Sequence, residues 1–184
     1  MASAYKIVEF LNETKDSDIL ELASLLSDNS ELVKSDNNKL VVMRYDVEKY
    51  ITNIDTILAR LGTEYTFPIM TNYKFVDIFK NLELLDIKLF NANFGFEKDE
   101  LNEDKSEELN KYISDNNITE LWDVIINENI KIKQIEFKIS RSSMIRLSSG
   151  GIIYASHDDL VQYKMHFINL ANFIIFGDVY EKNT

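Results

Sequence analysis

Apolar residues change their spacing twice along this chain, and this change constrains the fold more than any other feature. Up to about residue 126 they recur at helical intervals of three and four, from 130 to 154 many alternate, and the helical interval then returns. The clearest helix is expected between Asp46, a suitable N-cap, and Gly62, a suitable residue after a C-terminus. Its apolar residues form a single stripe: Val47, Tyr50, Ile51, Ile54, Ile57, Leu58 and Leu61.

The alternating segment predicts antiparallel strands. Residues 130–139 alternate, but the phase changes near Gln134, which indicates either a β-bulge or a strand that starts there. Residues 144–147 and 152–154 are short strand candidates on either side of the tight-turn sequence Ser149-Gly150-Gly151. These segments together favour a small β-meander.

The last part of the chain returns to helical spacing. Ser156 is placed to cap a helix that ends at Gly177, and apolar residues cover most of its circumference, so we expect it near the core. The predicted fold is α+β, with a mostly helical N-terminal two thirds, a small antiparallel β-meander near 134–154 and a long C-terminal helix packed on it.

The first 66 residues are predicted to be helical, in an order like that of a winged helix. That order is a helix over 5–13, a helix over 17–26, a turn over 30–34 and a strand over 40–45. Residues 28–36, which would read DNA in such a fold, carry three acids and one lysine, the wrong charge for facing phosphates. We predict one domain over 1–184, with substructure at 1–66 and an α+β part at 67–184 containing an acidic helical module at 97–128.

Charge is segregated along the sequence. Residues 97–128 carry eleven carboxylates and three lysines, a net charge of −8, in a chain whose net charge is −11. Residues 131–146 carry five cations and one glutamate, a net charge of +4. Summed charge steers partners, so the acidic module is a candidate protein-binding face. The residues predicted for this face are Glu97, Asp99, Glu100, Glu103, Asp104, Glu107, Glu108 and Trp122.

A loop rich in serine, arginine and glycine is the strongest candidate for binding a small anion. Arginine offers a two-pronged donor, and glycine exposes backbone N–H groups. The sequence favours a simpler interpretation, a hairpin with polar loops whose arginines balance the acidic module. The candidate residues are Arg141, Ser142, Ser143, Arg146, Gly150 and Gly151.

No pattern in the sequence is typical of catalysis. The only histidines, His157 and His166, are nine residues apart, and the chain has no cysteine, so no metal-ligand spacing is present. Serine nucleophiles would need a neighbouring base that the sequence does not offer. We therefore expect no catalytic residue, no metal, no cofactor and no enzymatic activity.

The sequence predicts a cytoplasmic protein. Its N-terminus lacks the basic and apolar regions of a signal peptide, and the most apolar stretch, 167–176, is interrupted by Asn169 and Asn172. Absence of cysteine fits a reducing compartment. No contact with a membrane is expected.

These features together predict a non-catalytic acidic module that binds a protein with a basic surface. It would act as an inhibitor or as an immunity or anti-defence factor, like a phage anti-CRISPR or a toxin-immunity protein, by mimicking nucleic acid on a cationic surface. No direct binding to nucleic acid is expected, and the chain is expected to be a monomer or a weak homodimer.

Two alternatives stay open. One is a homo-oligomeric assembly protein or phage structural protein, in which the cationic segment of one subunit meets the acidic module of the next. The other is a small-anion-binding protein or an enzyme that uses the loop at 140–151.

Overall fold

The computed structural model describes residues 2–96 and 103–178. Eight strands and eight helices lie in these two ranges, and they alternate along the chain. In chain order they are β1 (Ser3–Phe10), α1 (Asp16–Leu26), β2 (Leu32–Lys34), β3 (Leu40–Arg44), α2 (Val47–Thr52), α3 (Ile54–Arg60), β4 (Tyr65–Thr66), α4 (Asn72–Lys80), β5 (Lys88–Gly95), α5 (Glu103–Ser114), α6 (Ile118–Asn127), β6 (Lys131–Lys138), β7 (Met144–Ser148), β8 (Ile152–Ala155), α7 (His157–Gln162) and α8 (Lys164–Phe176).

The chain divides into two compact units. The first unit joins Met1–Ile69 to Gly150–Thr184, and the second unit is Met70–Ser149. All the strand pairings within each unit that the structure describes are antiparallel. The fold is therefore α+β, with strands and helices in both units.

In the first unit, β1 is the central strand of the order β2-β3-β1-β8, and the short β4 also pairs with β1. Helix α1 packs on this sheet and buries Ile19, Leu22 and Leu26 against Val41 and Met43 of β3. The alternate residues of β3 are buried too, so the strand is covered on both faces. Helix α8 packs against β2 and β3.

The prediction of a mostly helical N-terminal two thirds is wrong, because β1 to β5 all lie within the first 95 residues. Residues 5–13 were expected to be helical because Tyr5, Val8 and Leu11 have helical spacing. Instead β1 buries Tyr5, Ile7, Val8 and Phe10 on both of its faces, which hides the two-residue period of a strand. Its aromatic and β-branched side chains favour a strand that has neighbours on both sides.

The winged-helix order fails for the same reason. The predicted order was helix, helix, turn and strand. The observed order is strand, helix, strand and strand, because β1 replaces the first helix and β2 replaces the turn. The predicted C-terminal helix is also divided, into α7 and α8, at Tyr163. Its main part contacts β2 and β3, so the expected packing on a meander at 134–154 is wrong.

The predicted helix after Asp46 is interrupted at Asn53, which separates α2 from α3. The Asp46 side chain accepts hydrogen bonds from the backbone N–H groups of Glu48 and Lys49, as its N-cap position predicts. Only Ile57 of the predicted apolar stripe is buried within these two helices. Three of its apolar side chains are exposed: Val47 (56%), Ile51 (61%) and Leu58 (50%).

The second unit contains the strands β7-β6-β5 and the helices α4, α5 and α6. Its core includes Phe75, Leu109, Leu121, Ile135 and Phe137, all almost completely buried. In the pairing of β5 with β6, Asn93 lies opposite Gln134 and Phe94 lies opposite Ile132, so Lys133 is an extra residue. The β-bulge predicted near Gln134 is confirmed, and the alternative of a strand starting there is wrong.

Candidate functional site

The predicted acidic face lies partly on α5, where Glu103, Asp104 and Glu107 are exposed. None of these three carboxylates forms an ion pair with a residue in the described ranges. The helix therefore presents uncompensated negative charge to solvent. The other predicted residues of this segment, Glu97, Asp99 and Glu100, lie outside the described residues.

Glu108 differs from these three residues because its charge is compensated locally. Its carboxylate accepts a hydrogen bond from the Tyr112 hydroxyl at 2.9 Å and lies 3.2 Å from Lys105 Nζ. These interactions hold the pKa of Glu108 below its usual value. The same Lys105 ammonium lies 2.9 Å from Glu128, which raises the pKa of the lysine.

A side-chain amide fixes α5 to the edge of the sheet in the second unit. Asn110 Oδ1 accepts a hydrogen bond from the Ala92 backbone N–H at 2.8 Å, and Asn110 Nδ2 donates to the Ala92 carbonyl at 3.0 Å. The amide satisfies both backbone groups of a residue on the edge strand β5. The acidic side chains of α5 are therefore carried by a helix with a defined position on β5.

Trp122 lines a groove of the second unit. Its ring meets the ring of Tyr73 edge to face, with the ring centroids 6.3 Å apart. The groove has a volume of about 850 Å³. It is lined by Met70, Thr71, Asn72, Tyr73, Gly95, Phe96, Trp122, Asn129, Lys131, Ile132, Lys133 and Ser149.

The two lysines of the groove owe their position to the β-bulge. Gly95 is the register partner of Lys131, and the aliphatic part of the Lys133 side chain lies directly over Gly95. A Cβ atom at position 95 would overlap Lys133 Cε, so glycine lets the lysine side chain lie there, and a larger residue would displace its flexible end. The bulge and the glycine together place both lysines on the wall of the groove.

Asn72 holds the helical wall of the groove against its strand wall. Its Nδ2 donates to the Ile130 carbonyl at 2.7 Å, and its Oδ1 accepts a hydrogen bond from the Ile132 N–H at 2.9 Å. Thr71 caps the same end of α4 by accepting a hydrogen bond from the Lys74 N–H. The first turn of α4, which carries Tyr73, is thereby fixed to β6.

The predicted anion-binding loop is divided between the two units. Arg141, Ser142, Ser143 and Arg146 lie in the second unit, where the Ser140 hydroxyl accepts the N–H groups of Ser142 at 3.4 Å and Ser143 at 3.2 Å. These two backbone donors are therefore already used within the loop. Arg141 lines a separate cavity of about 510 Å³, together with two other cations, Lys88 and Lys138, and two acids, Glu83 and Asp86.

Gly150 and Gly151 belong to the first unit. The Gly150 carbonyl accepts a hydrogen bond from Lys6 Nζ at 3.0 Å. Gly151 has φ +68°, and a Cβ atom there would overlap the Pro68 carbonyl oxygen. Both glycines therefore take part in close packing within the first unit.

In the described ranges, no three histidine, aspartate or glutamate side chains come together in a group that could hold a metal ion. His157 is the first residue of α7, and its ring lies 3.4 Å from the Glu31 carboxylate. The His166 ring packs edge to face on Tyr163. Each histidine therefore contacts another side chain of the first unit.

The sequence matches no protein-family model, no curated protein and no solved structure. Among the described helices, none combines the length and the apolar character needed to cross a membrane. Functional inference for this chain therefore starts from the geometry and charge of the surfaces described above.

Sequence reasoning missed the groove. It assigned Trp122 to the acidic face and gave no functional role to Tyr73, Lys131 or Lys133. One of its predictions did lie on the groove wall, the bulge near Gln134. The proximity of Tyr73 and Trp122 could not be predicted, because 49 residues separate them in the sequence and only tertiary packing brings their rings together.

Proposed function

We propose that this chain is a non-catalytic binding protein that docks on a basic protein surface through the exposed carboxylates of α5. The observation that carries the proposal is that Glu103, Asp104 and Glu107 are exposed and make no ion pair with a described residue, whereas Glu108 on the same helix is compensated. Docking would then supply the cations that these three carboxylates lack.

Physical arguments favour a charged target. Exposed carboxylates on a fixed helix keep a constant spacing, so they can replace a row of phosphates on a cationic channel. A net charge of −11 also accelerates encounter with a basic partner over distances near the Debye length, which is about 8 Å at physiological salt. The proposed role is an inhibitor or immunity factor in the cytoplasm that occupies a nucleic-acid-binding surface.

The first test compares wild-type protein with the variant Glu103→Gln/Asp104→Asn/Glu107→Gln as baits in a lysate of the source organism. We expect a basic protein that the wild type retains and the variant loses. With purified partner, the association rate should fall at least about fivefold for the variant at low salt. The difference should nearly vanish near 1 M salt, where the Debye length is about 3 Å.

The matched control is Glu13→Gln/Asp36→Asn/Glu48→Gln. It removes the same number of charges from exposed positions of the first unit. We expect this control to retain the partner. Equal association rates for both variants, or a partner that still binds its nucleic acid when saturated with wild-type protein, would contradict the proposal.

A further inference from the structure

The groove of the second unit has a charge opposite to that of the chain. The whole sequence carries 31 carboxylates, yet among the residues that the structure describes no carboxylate lines the groove and two lysines do. Neither Lys131 nor Lys133 forms an ion pair with a residue in the described ranges. A cavity with this lining favours an anionic ligand.

The aromatic side chains of the groove give the ligand a second required feature. Tyr73 is 66% exposed although it contacts Trp122, so much of its ring remains open to solvent. Phe96 adds a third ring to the lining. Exposed aromatic rings can stack on planar ligands, and nucleobases stack on aromatic side chains whatever the base, since every base has a π-face.

The size of the groove fits a small molecule. Its volume of about 850 Å³ lies within the range of about 300–1,000 Å³ that is typical of small-molecule sites. Its walls are also fixed before binding, since Asn72 bonds the first turn of α4 to β6 and Gly95 seats the Lys133 side chain. A ligand would therefore meet a preformed site.

We propose that this groove binds a nucleotide, with the base against Tyr73 and Trp122 and the phosphate between Lys131 and Lys133. A phosphate-bearing base can be a free nucleotide or part of a single strand. The net charge of −11 repels a polyanion more than a mononucleotide, so the free nucleotide is the assigned ligand. This site is distinct from α5, and the proposal does not depend on the proposed docking function.

The probe is AMP, and the only tryptophan of the chain, Trp122, reports its binding. We expect AMP to quench Trp122 emission in a saturable way, adenosine to bind at least tenfold more weakly, and inorganic phosphate to leave the emission unchanged. Isothermal titration calorimetry should give the same order of affinity. No saturable signal from AMP by either method, at concentrations up to the millimolar range, would overturn the proposal.

The variant Lys131→Gln/Lys133→Met removes both charges and keeps an aliphatic side chain over Gly95. We expect its dissociation constant for AMP to rise at least tenfold, because charge-assisted hydrogen bonds to phosphate are lost. Lys88→Gln/Lys138→Met removes the same charge from β5 and β6 outside the groove lining, so its affinity should remain within twofold of wild type. Equal weakening in both variants would show general electrostatic attraction and overturn the site.

Two further measurements test base stacking and the choice of a free nucleotide over a single strand. Tyr73→Ala should weaken AMP binding at least fivefold in calorimetry, with only a small fall in the unfolding midpoint from the lost contact with Trp122, and unchanged affinity would contradict base stacking. A short single-stranded oligodeoxynucleotide should bind no more tightly than AMP. If it binds much more tightly and with a steep salt dependence, the assignment to a free nucleotide is wrong and the groove belongs to a nucleic-acid site.

Discussion

Glu31 has four side-chain partners among the residues that the structure describes. The Tyr5 hydroxyl donates to it at 2.8 Å, Asn29 Nδ2 donates at 2.7 Å, and the side chains of Arg44 and His157 each lie 3.4 Å from it. Burial of the carboxylate raises its pKa, but these hydrogen bonds and charges outweigh burial, so the pKa of Glu31 lies below its usual value. The folded state therefore favours the ionised form.

The lowered pKa of Glu31 predicts how stability depends on pH. A carboxyl whose pKa is lower in the folded state stabilises the protein above its unfolded-state pKa, about 4.3, and loses this contribution as pH falls through its folded-state pKa. Glu31→Gln should lower the free energy of unfolding at pH 7 by about 1–2 kcal/mol, because a charge-assisted network is lost. In urea unfolding, the gap between wild type and variant should narrow as pH is lowered below 4.

The control for this prediction is Glu13→Gln, which alters an exposed carboxylate of the same unit. Its effect on the free energy of unfolding should stay within about 0.5 kcal/mol, as is usual for surface changes. If the difference in free energy of unfolding between wild type and Glu31→Gln is the same at pH 7 and pH 3, then ionisation of Glu31 does not stabilise the folded state.

At the scale of helices and strands, the sequence correctly predicted features that depend on neighbouring residues, such as helix caps and helix ends. The side chains of Asp46 and Ser156 both accept hydrogen bonds from the first turn of the helix that follows them, as their positions predicted. The helix end at Gly177, with φ +74°, is confirmed as well. Each of these features depends on residues only a few positions apart, so the sequence contains the information needed.

Features that depend on distant partners were not predictable in the same way. Strand β1 was predicted to be a helix because burial on both faces hides its two-residue period, and that burial depends on partners, β3 and β8, that lie up to 152 residues away in the sequence. The bulge was predicted because the phase of burial changes within β6 itself. The function assigned to its lysines was missed, because the groove also needs α4 and α6.

The anchor of α5 is the prediction that belongs to this scale. Asn110→Ala should lower the free energy of unfolding by about 1–3 kcal/mol, because two backbone groups of Ala92 lose their partner. Amide hydrogen exchange in α5 should become faster than in α4. The control Asn127→Ala changes an exposed amide at the end of α6, and its effect should be small. Equal exchange rates in α5 for the two variants would contradict the anchoring role.

For the molecule as a whole, charge segregation in the sequence becomes segregation between elements of the second unit. The helices α5 and α6 carry six of its acids, while β5, β6, β7 and the loop before β7 carry Lys88, Lys131, Lys133, Lys138, Arg141 and Arg146. The sequence predicted the two blocks but could not show which face each would occupy. Trp122 illustrates the point, because it lies on α6, between two acids in the sequence, and yet lines the same groove as two lysines.

Self-association tests how far these surfaces interact with copies of the same chain. Val47, Ile51 and Leu58 are exposed on α2 and α3. Three isolated side chains fall well short of the roughly 1,000 Å² that a specific interface buries, and exposed ion pairs add only about 0–1 kcal/mol each. We therefore expect a monomer or a weak dimer by sedimentation equilibrium, with little change in mass across micromolar concentrations.

The variants for this test separate the two possible contacts. Ile51→Lys/Leu58→Lys replaces two of the three exposed apolar side chains, and Glu103→Gln/Asp104→Asn/Glu107→Gln removes the three carboxylates of α5 that make no ion pair with a described residue. A stable wild-type dimer that the first variant abolishes would make α2 and α3 an interface between copies. If the α5 variant abolishes the dimer, then α5 binds another copy of this chain. The acidic helix would then be an assembly surface, and the docking proposal would be wrong. A wild type that remains monomeric leaves the carboxylates of α5 accessible to a different, basic protein.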